Sequence, residues 1–319
     1  MTSVVFMGTP QFAAPILEGI IKQGYTVKAV VTQPDRKVGR KKILTASPVK
    51  QMALKYDLPV LQPEKLSGSD EMQAIIAMQP DLIITAAFGQ FLPTKLLACA
   101  KIAAINVHGS LLPKYRGGAP VQYAIMNGDS HTGVTIMYMV KEMDAGDIIS
   151  QQALPIQADD DTGSIFAKMS LVGRDLLLET LPALIQGKIT PRKQEESQVV
   201  YSPTIKPEQE VLSLTQNATQ LDWKIRALRP APGAYFSDFK GKRTKLWQIQ
   251  PLTETTSLQA GTVVEVNKHE LKIAAANGSV YQVLELQPAG KPKMKISDYL
   301  NGIGQGIKVG QVIITDGTK

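Results

Sequence analysis

The sequence predicts an α/β protein: a doubly wound, mostly parallel sheet followed by a small β-barrel. Three observations predict it. Through the first half of the 319 residues, continuous apolar runs alternate with segments of helical periodicity. Next, from Lys188 to Gln209, "KITPRKQEESQVVYSPTIKPEQ" is polar and punctuated by prolines, as a linker is. Beyond it, short β-rich runs separated by turn signals take over. The length also suits two domains, with expected boundaries 1–189, a linker at 190–209, and 210–319.

In order, "SVVFM" is a buried strand run ended by Gly8-Thr9-Pro10. In "QFAAPILEGIIKQG", Phe12, Ile16, Leu17, Ile20 and Ile21 recur at helical spacing and Gly24 stops the helix. "YTVKAVVT" is a second strand, and "SPVKQMALKYD" a helix with Ser47 as N-cap and Pro48 in its first position. A helix "DEMQAIIAMQP", a strand "DLIITAAFG" and a strand "IAAINVH" follow. Strands apolar along their whole length argue a parallel sheet covered on both faces, a Rossmann-like arrangement. "GVTIMYMV" and "DIISQQALPI" are joined only by "KEMDAG", too short for a crossover helix, so this pair is expected antiparallel. "DDTGSIFAKMSLVGRDLLLETLPALIQG" is one long amphipathic helix.

After the linker, "ATQLDWKIRALRPAPGAYF" reads as a helix ended by Pro230 and Pro232. The runs "TKLWQIQPL", "GTVVEVNKHELKIAAANGSVYQVLELQP" and "GQVIITDG" supply about five short strands. Asn267-Lys268-His269 and Asn277-Gly278 mark turns, the second a strong hairpin signal. A small closed or partly open barrel of the OB type is the expected result.

Composition narrows the function. With 44% hydrophobic and 20% charged residues, the chain has the make-up of an ordinary globular protein. No apolar run is long enough for a transmembrane helix, and the N-terminus reads as a strand and not a signal peptide. One cysteine, Cys99, excludes an intramolecular disulfide and a multi-cysteine metal site. The three histidines make no metal-ligand cluster, so no metal is expected. These features predict a cytoplasmic protein. The net charge of +7 tilts the partners toward anions. Its sharpest concentration is "PDRKVGRKKILTASPVK", where Arg36, Lys37, Arg40, Lys41, Lys42 and Lys50 stand against Asp35. Such a run is either a solvated surface or a grip on a polyanion, and its place after a strand's carboxyl end favours the second.

The chemistry concentrates in "AAINVHGSLLPKYRGGAP". Alternation along a strand puts Asn106 and His108 on one face and Val107 on the other. Gly109 ends the strand, so the pair stands at the carboxyl edge of the sheet, where ligands bind in open α/β folds. Together they are either polar caps of a strand end or a site that holds an oxyanion and moves a proton. Asp144, in the "MDAGD" turn of the same sheet, either orients the imidazole or bonds its own turn, and Asp147 shares that ambiguity. Gly8 alone is no dinucleotide fingerprint, and neither a P-loop nor a G-x-S-x-G elbow occurs.

These pieces resemble the methionyl-tRNA formyltransferase family nearly end to end: "FMGTPQFA", "TQPDRKVGRKK", "SPVK", "NVHGSLLPKYRGGAP", "GVTIMYM", "MDAGD" and "LQPAGKPKM" stand in the family's order and spacing. The Asn-x-His, the Ser-Leu-Leu-Pro and the later Asp are shared with the wider folate-dependent formyltransferases, including those acting on glycinamide ribonucleotide and amino sugars. They specify formyl transfer and not the acceptor. The basic loop and the C-terminal OB-like domain, with its "IRALRPAPGAY", point to tRNA. The resemblance implies 10-formyltetrahydrofolate as donor and methionyl initiator tRNA as acceptor, no metal, and a monomer. It implies Asn106, His108 and Asp144 as catalytic residues. The folate is expected near Phe88, Gly89, Phe91 and Leu92 and the Ser110, Leu111, Leu112, Pro113 turn. Arg36, Lys37, Arg40, Lys41 and Lys42 are expected to meet the tRNA acceptor stem. One departure stands out: Leu212-Ser213-Leu214 occupies the place of the family's Ile-Asp-Trp at the entrance of the second domain. Two rivals remain, a formyltransferase for small amines and a non-catalytic nucleic-acid-binding scaffold.

Overall fold

The computed structural model describes residues 1–39 and 41–315. Arg40 lies outside them. The chain forms two compact units: Met1–Pro120, His131–Pro155 and Ser164–Pro203 make the first, and Val121–Ser130, Ile156–Gly163 and Thr204–Lys319 the second. This differs from the contiguous 1–189 and 210–319 division. Two short segments of the first half pack with the second unit, and most of the expected linker, up to Pro203, belongs to the first.

The first unit runs β1 (Ser3–Gly8), α1 (Ala14–Lys22), β2 (Thr26–Val31), β3 (Arg36–Val38), β4 (Ile43–Thr45), α2 (Pro48–Lys55), β5 (Val60–Leu61), α3 (Asp70–Met78), β6 (Leu82–Ala86), α4 (Thr94–Leu97) and β7 (Ala103–His108). After α5 (Pro120–Met126), which from Val121 on belongs to the second unit, come β8 (His131–Tyr138), β9 (Ile148–Pro155) and α6 (Thr162–Ile185). The main sheet has the order β5-β2-β1-β6-β7-β8-β9. Its first five strands are parallel, while β7–β8 and β8–β9 are antiparallel. Every residue of β1 and β6 is buried, as a sheet covered on both faces requires. The strand order reverses between β1 and β6, which places the ligand crevice of such a sheet at their carboxyl ends.

Local chemistry explains the elements. Ser47 caps α2 by accepting the Lys50 N–H at 3.0 Å, with Pro48 in the first turn. Gly8 has no room for a side chain, because a Cβ there would lie 2.8 Å from Ala13 Cβ and 2.9 Å from Ala86 O. The basic stretch expected as a loop contains a two-stranded antiparallel hairpin, with Arg36 opposite Thr45 and Val38 opposite Ile43. Its β-branched residues favour strand pairing.

In the second unit α7 (Ala218–Ala227) precedes β10 (Tyr235–Phe239), β11 (Lys242–Thr255), β12 (Val263–Val266), β13 (Leu271–Ala274), β14 (Ser279–Pro288), β15 (Met294–Lys295), α8 (Ile296–Leu300) and β16 (Ile314–Thr315). The antiparallel sheet follows β12-β13-β14-β11-β10-β16, with β15 beside β14. Bulges along β11 and β14 bend it. Its two ends meet through one segment: β16 pairs with β10, while just before it Val312 bridges Thr262 and Val263 donates to Gln311 O at 2.9 Å. This curled sheet is consistent with the expected OB-like barrel. Asn277 and Gly278 both take positive φ, 56° and 68°, in the β13–β14 turn. Leu212 is buried in the barrel core and Leu214 packs against it, so the departure from Ile-Asp-Trp fills this core with leucine.

Candidate active site

β7 ends the parallel part of the sheet and carries both predicted groups. Thr85 and Asn106 are partners in the β6–β7 register, and the Thr85 hydroxyl donates to Asn106 Oδ1 at 2.7 Å. The carboxamide oxygen faces Thr85, which leaves the NH2 group as the donor for a ligand. Val107, between the two, is buried against α6, where Gly173 allows close approach.

His108 is 6% exposed. Its Nε2 lies 3.0 Å from the Tyr115 carbonyl oxygen. A carbonyl can only accept, so Nε2 carries a hydrogen and donates it. Nδ1 faces Asp144 Oδ2 at 3.7 Å, beyond a direct hydrogen bond. Asp144 has φ 51°, a left-handed conformation that Asp tolerates better than most non-glycine residues. Its carboxylate accepts the Gly117 N–H at 2.9 Å. The stretch Tyr115–Gly117 thus orients both groups, with a carbonyl on the histidine and an N–H on the aspartate. Asp147 contributes its backbone carbonyl, which accepts the Tyr138 N–H at 3.0 Å.

The structure divides the residues expected to meet the folate. In the loop after β6, Phe88 and Leu92 are buried in the core with Leu66, Met72 and Leu96, while Gly89 and Phe91 are exposed. Thr9 and Gln33 both donate to Phe88 O, at 3.0 and 3.2 Å, tying this loop across the crevice. Ser110 is wholly buried and donates to Lys114 O at 2.6 Å. Leu112 donates to Thr135 Oγ1 at 3.2 Å and accepts from Gln151 Nε2 at 2.8 Å. Leu112 N and O thus each have a partner within the fold, the carbonyl keeping a second lone pair; Leu111 and Pro113 are partly exposed. After β8, Val140 and Met143 are exposed just before Asp144.

On the β3–β4 hairpin, Arg36, Lys37, Lys41 and Lys42 are exposed, and Arg36 pairs with Glu64 at 2.8 Å. Asp35, by contrast, is turned back to Lys50, at 2.8 Å; hydrogen bonds from Lys50 and then Gln62 hold its carboxyl below the ordinary value. Cys99 is half-buried, and burial pushes its thiol up, away from nucleophilic use. Among the described residues no three His, Cys, Asp or Glu side chains gather as a metal set, and no helix is long and apolar enough to cross a membrane. Sequence reading missed Thr85, Tyr115 and Gly117. Thr85 alone carried a signal, as a polar residue near the end of the neighbouring apolar strand.

The sequence model of the Formyl transferase family matches residues 1–181, and that of the Formyl transferase C-terminal domain matches 204–304. A methionyl-tRNA formyltransferase of Ligilactobacillus salivarius is 69% identical over 316 residues, covering 99% of both chains. One of Lactiplantibacillus plantarum is 64% identical over 316 residues, covering 98% of this chain and 99% of its own. Among solved structures, an N-formyltransferase from Helicobacter canadensis in complex with folinic acid and dTDP-3-aminofucose shares the fold, with a TM-score of 0.67 at 19% identity over 90% of this chain and 100% of its own. The chain belongs to the methionyl-tRNA formyltransferase family.

Proposed function

We propose that this chain transfers the formyl group of 10-formyltetrahydrofolate to the α-amine of methionyl initiator tRNA. The observation that carries the reading is the Asn106 carboxamide, hydrogen-bonded to Thr85 beside the His108–Asp144 pair at the carboxyl edge of the sheet. The folate derivative supplies an activated formyl carbon. Attack by the amine nitrogen places negative charge on the formyl oxygen, and the Asn106 NH2 group donates to it. Such preorganised donors act where charge develops, and removing one typically costs about a hundred- to a thousandfold. The attacking amine loses one proton and the departing folate nitrogen gains one. With Nε2 held on Tyr115, this traffic is confined to the Nδ1 side of His108, facing Asp144.

The apolar residues exposed in the two loops that flank the site, Phe91 after β6 and Val140 and Met143 after β8, suit a flat aromatic ring system. Buried Phe88 and Leu92 hold the first of these loops from below. The β3–β4 hairpin offers its cations to the tRNA acceptor stem. In the second unit, Arg243 lies 3.7 Å over the Tyr235 ring, and Lys245 and Lys293 stand 5.6 and 5.8 Å from the Trp247 ring. That mixture of cations and aromatic faces supports a nucleic-acid-binding role for the unit. In this reading the acting form is a monomer in the cytoplasm.

The test is formyl transfer by the purified protein from 10-formyltetrahydrofolate to charged initiator tRNA, charged elongator tRNA and an amino-sugar nucleotide. Formyl-methionine on the initiator alone is the expected outcome. Transfer only to the sugar would assign the small-amine reaction instead. Folded protein that binds tRNA and transfers nothing would leave a binding scaffold.

A further inference from the structure

We propose that Gln194 is a positioning residue for formyl transfer, holding the Asp144 turn against His108 through its carboxamide; this rests on the reaction proposed above. The segment around it was expected to be a linker. The structure lays it across the first unit as a strap, with Arg192 and Ile148 exchanging backbone hydrogen bonds of 2.8 Å.

The bonds of Gln194 use what a carboxamide alone offers, two donors and an acceptor on one plane. Its Nε2 donates to Asp144 O and to Gly146 O, both at 2.8 Å. Its Oε1 accepts from Arg116 Nε at 3.0 Å. Both partners of Nε2 are carbonyls, and Arg116 can only donate, so the amide orientation is determined. Asp144 sits in a left-handed conformation, and Gln194 grips the carbonyl of that residue and the one two places on.

Arg116 closes the circuit. Its side chain is 4% exposed, and its guanidinium meets Glu196 of the strap at 2.8 Å. The Arg116 N–H donates to Val200 O at 2.9 Å, and its carbonyl accepts from Ser202 N at 2.7 Å. Its neighbours, meanwhile, hold the chemistry: Tyr115 O on His108 and the Gly117 N–H on Asp144. From the side of Gln194, the strap fixes the Asp144 turn; from the side of Arg116, it fixes the loop that orients both catalytic groups. Lys193, Glu195 and Glu196 around Gln194 are exposed, so the segment buries little apolar surface. The side-chain bonds of Gln194 and Glu196 converge on the Asp144–Gly146 turn and on Arg116.

The experiment uses the full-length protein, comparing wild type, Gln194→Ala, Gln194→Glu, Asp144→Asn and the Gln194→Ala/Asp144→Asn double variant, with melting followed throughout. Expected is a fall in kcat of about tenfold or more for Gln194→Ala, KM for tRNA within about twofold, and no further loss from Gln194→Ala once Asp144→Asn is present. Gln194→Glu, which turns an acceptor toward two carbonyls, loses at least as much. The chain has three histidines, so ring-proton NMR separates them. The His108 signals should move in Gln194→Ala while those of His131 and His269 stay.

An unchanged kcat with a lowered melting temperature would overturn the proposal, as would an equal loss with and without Asp144→Asn. A wild type that transfers no formyl group would sink the reaction proposed above, whereas the His108 signals would still decide whether Gln194 sets the geometry of the pair.

Discussion

At Asn106, the carboxamide oxygen takes the hydrogen bond of Thr85 and the NH2 group is left for the ligand. Asn106→Asp keeps the size of the side chain and a partner for Thr85, but puts a carboxylate oxygen where the NH2 donors stood. Negative charge then meets a developing oxyanion. The expected loss in kcat is at least a hundred- to a thousandfold, with melting near that of wild type; steady-state kinetics on folded protein decides it. Asn106 and His108 were legible as a pair because strand period alone assigns their face. Thr85 was not assigned, since its role depends on the register between two strands. The bond from His108 to Tyr115 O was hidden for another reason, because a backbone carbonyl has no side-chain signature.

Among the elements, the β3–β4 hairpin carries charge and a pH-dependent tie joins α1 to the end of α2. Lys41→Ala and Lys42→Ala should raise KM for tRNA and leave kcat nearly unchanged. Each cation removed from a phosphate should reduce the slope of log affinity against log salt by about one; titrations across a salt series measure this. An unaltered slope would return the hairpin to a solvated charged surface. The tie is Glu18 on α1. It accepts from Tyr56 at 2.9 Å and from Lys55 at 3.2 Å, and Lys22 lies 3.3 Å away. The Tyr56 hydrogen bond first, then Lys55 and Lys22, lowers its pKa from 4.5 to about 2. A depressed carboxyl stabilises the fold above its unfolded value, and that contribution disappears as pH falls from about 4.5 through about 2. Wild type should therefore lose more melting temperature between pH 5 and pH 2 than Glu18→Gln does. Of these elements, the cap of α2 was plain in Ser47-Pro48. The hairpin was not, because a run dense in lysine and arginine masks its β-branched residues.

For the whole molecule, the second unit is discontinuous in sequence. Within it, the Thr162 hydroxyl donates to Ala227 O at 2.6 Å and Arg226 donates to Asp160 O at 2.8 Å. Arg229 pairs with Asp161 at 2.7 Å, and Gly128 admits the Trp223 ring. A fragment of residues 204–319 lacks the partners of all four. Arg226, 8% exposed, keeps its Asp222 pair in the fragment but loses Asp160 O, and a hydrogen bond from a charged donor contributes about 1.5–3 kcal/mol. The fragment should melt below the corresponding transition of the intact chain in calorimetry. Equal melting would mean that residues 121–130 and 156–163 add nothing to this unit.

By itself the sequence determined the alternation of the main strands and helices, the shared face of Asn106 and His108, the cationic stretch and the turn at Asn277-Gly278. Each of these is written in the period or type of neighbouring residues. Only the tertiary structure decided what holds the site in shape. Thr85 and Asn106 are 21 residues apart, Gly117 and Asp144 are 27, and Gln194 and Asp144 are 50. Periodicity says which way a residue points, and composition says what it can bond. Neither says which distant backbone the folded sheet and its strap will bring within 3 Å, because that distance is set by the packing of the whole unit.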